Sequence, residues 1–548
     1  MFRLARPFAV FLLVVILCQW LTGVYGKLLD GSHDEASHYL TSLLVRDYLA
    51  GGLSWHPLRY AENYYLHYPK IALGHWPPVF YLLNGLWLLA FPFGSGSLFA
   101  LLAVTTAGLT TRIFLYVKRD APEWAAWLVG LLFLTLSPVY SSFIQLMSEL
   151  VLAWLVLEAW LAFSRWMQAP TIARGVGFSL WSSLALLTKA LGAGLAFLPP
   201  AALLLASRRN LLLKPSLILS GCLVAAAVAP WYFLAPGARH EASGHKFAGL
   251  LGVNPPARVA SDAAEQRGLP IHLTELAYRA ERSLRAVPLL FRWLGPVLLL
   301  SLLGIWRSAR LGDADALAVA GLLLAYLVFR FVLVSAAWEP RMLIPLLAPC
   351  LCFVWAGRAY FSFPHASAVL AALLICTGGY NLHAGHRPVG HPAGEAAAWI
   401  ASSSSAKYPA ILVSGSGALE GSITAAVADC DRQRPSRYVV RASKLLSVSS
   451  WASDVYLPKA NTEDEVLRSL DSVPIDLVVL SPLTPRSMPH SVLLDHTVRA
   501  NPGRFRRVQL RDQSLEIYEM VRREDAPPNS APKIDMFLFG LGRSLSTQ

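Results

Sequence analysis

Long apolar runs, one after another, dictate what this chain can become. Stretches of spanning length lie at 7–26, 98–117, 123–141, 148–166, 212–234, 287–306, 313–335, 341–357 and 363–380. About 20 apolar residues in a helix cross the hydrocarbon core of a bilayer, where only helices and closed barrels satisfy their own backbone. A longer run, 174–206, is interrupted by Lys189 and by Gly192-Ala193-Gly194, so it reads as two short helices, 174–188 and 191–206. The pattern predicts a mainly α-helical polytopic membrane protein with about 11 transmembrane helices. Charged residues are 15% of the 548, well under the roughly 25% of soluble domains. Arg3 and Arg6 precede a first run long enough to span, which favours an uncleaved helix over a signal peptide.

The net charge of +13 suggests nucleic acid until the positive residues are placed. With the N-terminus in the cytoplasm, Lys118, Arg119, Arg165, Arg174, Arg208, Arg209, Arg307, Arg310 and Arg358 all fall in cytoplasmic turns, as the positive-inside rule asks. That placement requires the apolar segment 76–92 to lie at the outer interface without spanning. Residues 27–97 and 235–286 are then extracytoplasmic loops. The positive charge tracks topology and forms no single stripe, which argues against nucleic acid. Of the six cysteines, five lie in apolar runs and Cys430 stands alone, so no disulfide framework or zinc site is expected.

Beyond about residue 385 the pattern changes. Ile411–Ser414, Arg437–Val440 and Ile475–Leu480 read as strands, with helices at 393–403, 418–430 and 462–472. This alternation predicts a C-terminal soluble α/β domain with a parallel sheet, closed by a hairpin over 504–511 and 514–521. The domain organisation expected is a membrane domain over 1–384, an extracytoplasmic α/β domain over 385–522 and a loose tail over 523–548. The small residues of "VSGSGALEG", 413–421, match neither phosphate-loop nor dinucleotide fingerprint. They read as a tight strand-to-helix turn.

The predicted topology collects ionisable residues on the outer face. Asp34 and Glu35 follow the first span, Lys70 and His75 sit in "HYPKIALGHWPP", Glu149 opens a span, Lys189 breaks an apolar run and Arg341 opens another. Each has a plain explanation. Acids favour helix N-termini, and long basic side chains snorkel. Ionisable groups at or inside membrane helices are nonetheless costly and mark function by default. Cations and carboxylates on one face suit an anionic head group beside a proton acceptor.

An acidic Asp34-Glu35 pair just after the first helix resembles the protein O-mannosyltransferases and the lipid A aminoarabinose transferases, polytopic glycosyltransferases of the GT-C class. "KIALGHWPPVFYLLNGLWLLAF" is similar to that family's Lys/His-Pro-Pro segment with its interfacial helix. In "SPVYSSFIQLMSELVLAW", Glu149 takes the place of the family's second acid. "LLTKALGAG" resembles its Thr-Lys-Gly segment with Ala190 for glycine, and "EPRMLIPLLAP" its Arg-Tyr-Leu-Leu-Pro with Met342 for tyrosine. The resemblance implies a GT-C fold and transfer of a sugar from a polyprenyl-phosphate donor to a glycan, lipid or protein acceptor, with inversion. It implies Asp34 as general base, Glu35 as its neighbour holding the acceptor or tuning it, and Lys70, Lys189 and Arg341 on the leaving phosphate. His75 and Glu149 complete the donor site. No cofactor is implied as obligatory. Asp34 and Glu149 offer two ligands for a divalent metal without a full shell. The setting expected is a bacterial inner membrane, N-terminus in the cytoplasm and C-terminal domain outside. A transporter or flippase for lipid-linked sugars is the competing reading. It predicts internal repeats, and the sequence has none.

Overall fold

The structure is a computed structural model. It describes residues 2–92, 94–234, 294–329, 339–361, 365–383, 399–400, 402–403, 409–431, 433–449, 456–473, 475–481, 488–510, 515–521, 534–538 and 543–547. The loop 235–286 and most of the helix expected at 393–403 lie outside the described residues.

Helices occupy the apolar runs. Ser95–Val117, Glu149–Gln168, Pro215–Phe233 and Ala366–His383 are long and apolar enough to cross a membrane. Two further runs are bent. Glu123–Thr135 meets Ser137–Phe143 at 69°, and Pro340–Leu351 meets Val354–Tyr360 at 56°. The first bend follows from Pro138, which opens the second helix without an N–H to continue the ladder. The runs 123–141 and 341–357, expected as single straight spans, are thus each two helices joined at a sharp bend. The other expected runs lie on shorter helices, two of which run into residues outside the described set. The segment 76–92 forms the 12-residue helix Val79–Ala90. At 1.5 Å per residue it is about 18 Å long, well short of the roughly 30 Å core.

The described residues form two compact units. One comprises Met1–Thr22, Gly74–Phe80 and Ala100–Arg387. Of its long apolar helices, Glu149–Gln168 is the most enclosed, with 83% of its apolar window buried, against 17% for Pro215–Phe233, which therefore presents Leu219, Leu223 and Phe233 as a lipid-suited face. Helix Ile172–Leu186 ends before Lys189, whose backbone is extended, and the chain resumes as a 3₁₀ stretch, Ala190–Phe197, followed by helix Leu198–Leu205. Gly192 permits that break. A Cβ there would lie 2.7 Å from the carbonyl of Ala185 at the end of the preceding helix.

The other unit comprises Gly23–Leu73, Tyr81–Phe99 and Pro388–Gln548. Its sheet contains β1 (Ala410–Ser414), β2 (Tyr438–Arg441), β5 (Leu477–Leu480), β6 (Phe505–Arg507) and β7 (Glu516–Met520) in the order β2-β1-β5-β7-β6. β1 runs parallel to β2 and β5, with Leu412 opposite Val440 and Val478, and β5, β7 and β6 pair antiparallel. The central strands are continuously apolar because both faces are covered. Short β3 (Ser447–Ser449) and β4 (Tyr456–Pro458) form a separate pair. The tail expected to be loose contains an antiparallel pair, β8 (Asp535–Leu538) with β9 (Arg543–Ser546), fixed by buried Ile534, Met536 and Leu545. This unit joins two stretches that the expected boundary at 384 separates: helices Glu35–Ala50 and Pro57–His67 pack directly on the α/β domain.

Candidate active site

Three of the residues singled out in the sequence meet inside the membrane unit. Glu149, at the N-terminus of helix Glu149–Gln168, is fully buried. Lys189 Nζ lies 2.6 Å from its Oε1, and Arg341 Nε lies 3.3 Å from the same oxygen. Arg341 also pairs with Glu339 and points Nη1 at Met147 Sδ, 2.8 Å away. The three carriers are a helix start, the break after helix Ile172–Leu186 and the opening turn Pro340–Leu343. All three are places where regular helix stops, so backbone groups are open and a charge can be met. His75 belongs to this unit as well, half-buried with its ring edge on Trp76.

Beside the break lies an apolar cavity of about 830 Å³. Phe178, Leu186, Ala190, Pro199, Val228 and Tyr232 contribute to its wall. Leu186 and Ala190 flank the turn that carries Lys189. A greasy chamber therefore adjoins a charged turn within one unit.

Asp34, Glu35 and Lys70 belong to the other unit. Asp34 occupies the N-cap position of helix Glu35–Ala50, yet its side chain makes no capping bond to that helix. The plain helix-cap explanation is thereby not realised in its usual form. Glu35 is fully buried: Oε2 accepts from the Gly31 N–H at 3.1 Å and Oε1 faces Lys27 Nζ at 3.7 Å. It clasps the loop 27–35 onto itself. His38 Nδ1 lies 2.7 Å from the Tyr81 hydroxyl.

Lys70 is only 1% exposed. Burial first, and the Arg441 guanidinium next, hold its amine well below the usual lysine value, with Glu420 and Asp34 opposing. Arg441 stands at the carboxyl end of β2. Its Nε donates to Glu420 Oε2 at 2.9 Å and its Nη1 to the Pro69 carbonyl at 3.3 Å. Ser443 N–H completes the shell of Glu420 at 3.1 Å. Nearby, Tyr68 hydroxyl donates to Asp431 at 2.5 Å, and Arg434 Nε to Asp47 at 2.9 Å. Burial raises the Asp431 carboxyl, but hydrogen bonds from Ser436, Tyr68 and the Arg437 amide outweigh it and leave it below the ordinary value.

Arg441, Glu420 and Asp431 were not singled out in the sequence. The one signal that could have found Arg441 is its place at the carboxyl end of a parallel strand beside the first strand, where open α/β sheets present their ligands. Among the described residues no three His, Cys, Asp or Glu side chains gather to hold a metal ion.

No family model matches the chain, and no curated protein sequence matches it. Solved structures do. The crystal structure of ArnT from Cupriavidus metallidurans bound to undecaprenyl phosphate aligns with a TM-score of 0.56 at 14% identity, covering 95% of this chain and 99% of that one. The apo form of the same protein aligns at 0.53 and 14%, covering 94% and 98%. The Archaeoglobus fulgidus oligosaccharyltransferase in complex with Zn and sulfate aligns at 0.50 and 15%, covering 86% of this chain and 67% of that one. The chain thus has the GT-C fold, a polytopic helical membrane domain with a C-terminal α/β domain, as the sequence resemblance implies. It is an integral membrane protein.

Proposed function

We propose that this protein is a glycosyltransferase that moves a sugar from a polyprenyl phosphate to an extracytoplasmic acceptor, with inversion at the anomeric carbon. The observation that carries this reading is the apolar cavity of about 830 Å³ walled by Leu186 and Ala190, next to the turn that brings Lys189 to Glu149 and Arg341. A polyprenyl tail needs the first and its phosphate the second. The likeness in fold to ArnT, solved with undecaprenyl phosphate bound, supports the same class of donor.

In the reaction, an acceptor hydroxyl attacks the anomeric carbon as Asp34 takes its proton. The bond from the anomeric carbon to the phosphate oxygen breaks, and its electron pair leaves with the polyprenyl phosphate. Lys189 and Arg341 offset the negative charge that develops there. Arginine adds a planar fork suited to phosphate. The family resemblance assigns Lys70 and His75 to donor binding as well. Glu149, between Lys189 and Arg341, fixes both cations so that little reorganisation is needed when phosphate arrives. Glu35 shapes the loop that presents Asp34. The acceptor is a lipid, polysaccharide or protein outside a bacterial inner membrane.

The test is consumption of radiolabelled polyprenyl-phosphate sugars by membranes carrying wild type or Asp34→Asn, with an acceptor extract present. The wild type should consume one donor and the variant should not. Equal consumption by both would remove Asp34 from the mechanism. No consumption by either, with folded protein, would favour transport of the lipid-linked sugar.

A further inference from the structure

Four consecutive residues of the first extracytoplasmic loop are gripped one by one by the C-terminal α/β domain. The His67 ring stacks on Tyr438, with centroids 4.0 Å apart. The Tyr68 hydroxyl donates to Asp431 at 2.5 Å. The Pro69 carbonyl accepts from Arg441 Nη1 at 3.3 Å. The stem of Lys70 lies against Gly421, where an added Cβ would sit 3.1 Å from both Cγ and Cε. Everything here belongs to one compact unit.

The location within the sheet is informative. Open parallel sheets bind ligands beyond the carboxyl ends of their strands, where the strand order switches direction. β1 sits between β2 and β5, so the switch is at β1. Beyond its carboxyl end come Ser416, which caps the next helix by accepting from Leu419 N–H, and Gly417, which packs near His33 and Arg441. Tyr438 and Asp431 hold the segment at the amino end of β2, and Arg441 holds its Pro69–Lys70 end at the carboxyl end, beside the crevice that such sheets offer a ligand. Arg441 and Glu420 line it as a buried ion pair, 7% and 0% exposed. An Arg–Glu pair neutralises itself, so its contribution is geometric. Glu420 orients the guanidinium, and the guanidinium holds the backbone carbonyl immediately before Lys70.

We infer that the C-terminal domain is part of the transfer machinery, with Arg441, oriented by Glu420, as a positioning residue that holds Lys70 in place through the Pro69 carbonyl. The inference rests on the proposed function for the purpose of the hold, though the hold itself can be measured separately. Lysine at 441 keeps the charge but cannot serve Glu420 and the carbonyl together in a planar fork. It should therefore rescue little.

The experiment uses the full chain in membranes, with Arg441→Gln, Arg441→Lys and, as a surface control on the same domain, Arg499→Gln. Lysine acetylation at limiting reagent, read by mass spectrometry, reports how well each lysine is protected. Lys459, already exposed, serves as the reference for labelling efficiency, and tryptophan fluorescence reports that the protein remains folded. Lys70 should gain labelling at least fivefold in Arg441→Gln and Arg441→Lys, and not in Arg499→Gln. Donor KM should rise about tenfold in both Arg441 variants with kcat changed less. Unchanged Lys70 labelling in folded Arg441→Gln would overturn the inference. So would increased labelling with an unchanged donor KM in a protein whose turnover requires Lys70. If wild type turns over no donor, the functional reading fails, and labelling alone decides whether Arg441 holds Lys70. Gly421→Val is the second variant. It leaves Arg441 intact but fills the space of the Lys70 stem, and should reproduce the KM rise.

Discussion

Replacing Glu149 by glutamine removes one negative charge from between two cations and changes little else. Lys189 Nζ and Arg341 Nε both lie against the same Glu149 oxygen, at 2.6 and 3.3 Å. They are therefore no more than about 6 Å from each other, where two like charges repel by about 3 kcal/mol at an effective dielectric of 20. Both side chains are mostly enclosed, 18% and 15% exposed, so water screens this only weakly. The value agrees with the roughly 3–5 kcal/mol lost when one partner of a buried pair is removed. Arg341 keeps Glu339 as a second acid, while Lys189 keeps none of the pairs described for it. Glu149→Gln with Lys189→Met should therefore recover more stability than Glu149→Gln with Arg341→Met. The assay is denaturant unfolding in mild detergent, followed by tryptophan fluorescence. A Glu149→Gln protein within about 0.5 kcal/mol of wild type would refute the argument, since that is the range of neutral surface changes. A Lys189→Met double variant no better than the single one would refute it too.

Two further outcomes follow from the α/β unit. Tyr68→Phe should destabilise it by about 1.5–3 kcal/mol, the usual value of a hydrogen bond to a charged group; because Asp431 is held below its ordinary value, this difference should persist at neutral pH and fade below about pH 4 as the carboxylate is protonated. Lys444 is pushed down to about 7, by burial first and Arg441 next. Its unfolded value is about 10.4, so from about pH 7 to 10 the unfolded chain binds a proton that the folded chain does not, and stability rises with pH. Lys444→Met should lower that slope, measured as the gain in Tm between pH 7 and pH 9.

How much of this was legible in the sequence depends on where charge is costly. Glu149, Lys189 and Arg341 stood out because each interrupts apolar sequence, and a charge there needs a partner or a task. The basic turns put all three on one side of the membrane as an expectation; what the structure shows is Lys189 and Arg341 at one oxygen of Glu149. The strands β1, β2 and β5 were legible as apolar runs between turn residues, within a residue or two. The bends at Leu136 and Phe353 were not, because hydropathy reports the composition of a run and not its direction.

The grip on Lys70 was illegible for a different reason. Asp431, Arg434 and Arg441 lie in polar sequence, where charged residues are ordinary and carry no signal of cost. Their partners lie far away in the chain: Tyr68 is 363 residues from Asp431, and Pro69 is 372 from Arg441. In the sequence the glycines of "GALEG" read as part of a turn. In the structure Gly417 and Gly421 fall four apart on one helical face, as residues at i and i+4 must. A Cβ added on that face would come within 3.4 Å of His33, Lys70 and Ala36. A turn needs small residues at its corner, which Gly415 and Ser416 already provide. A second glycine one helical turn into the helix costs about 1 kcal/mol in propensity relative to alanine. A bare helix face offsets that cost only where another chain segment must come close, and here the segment is the one that carries Lys70.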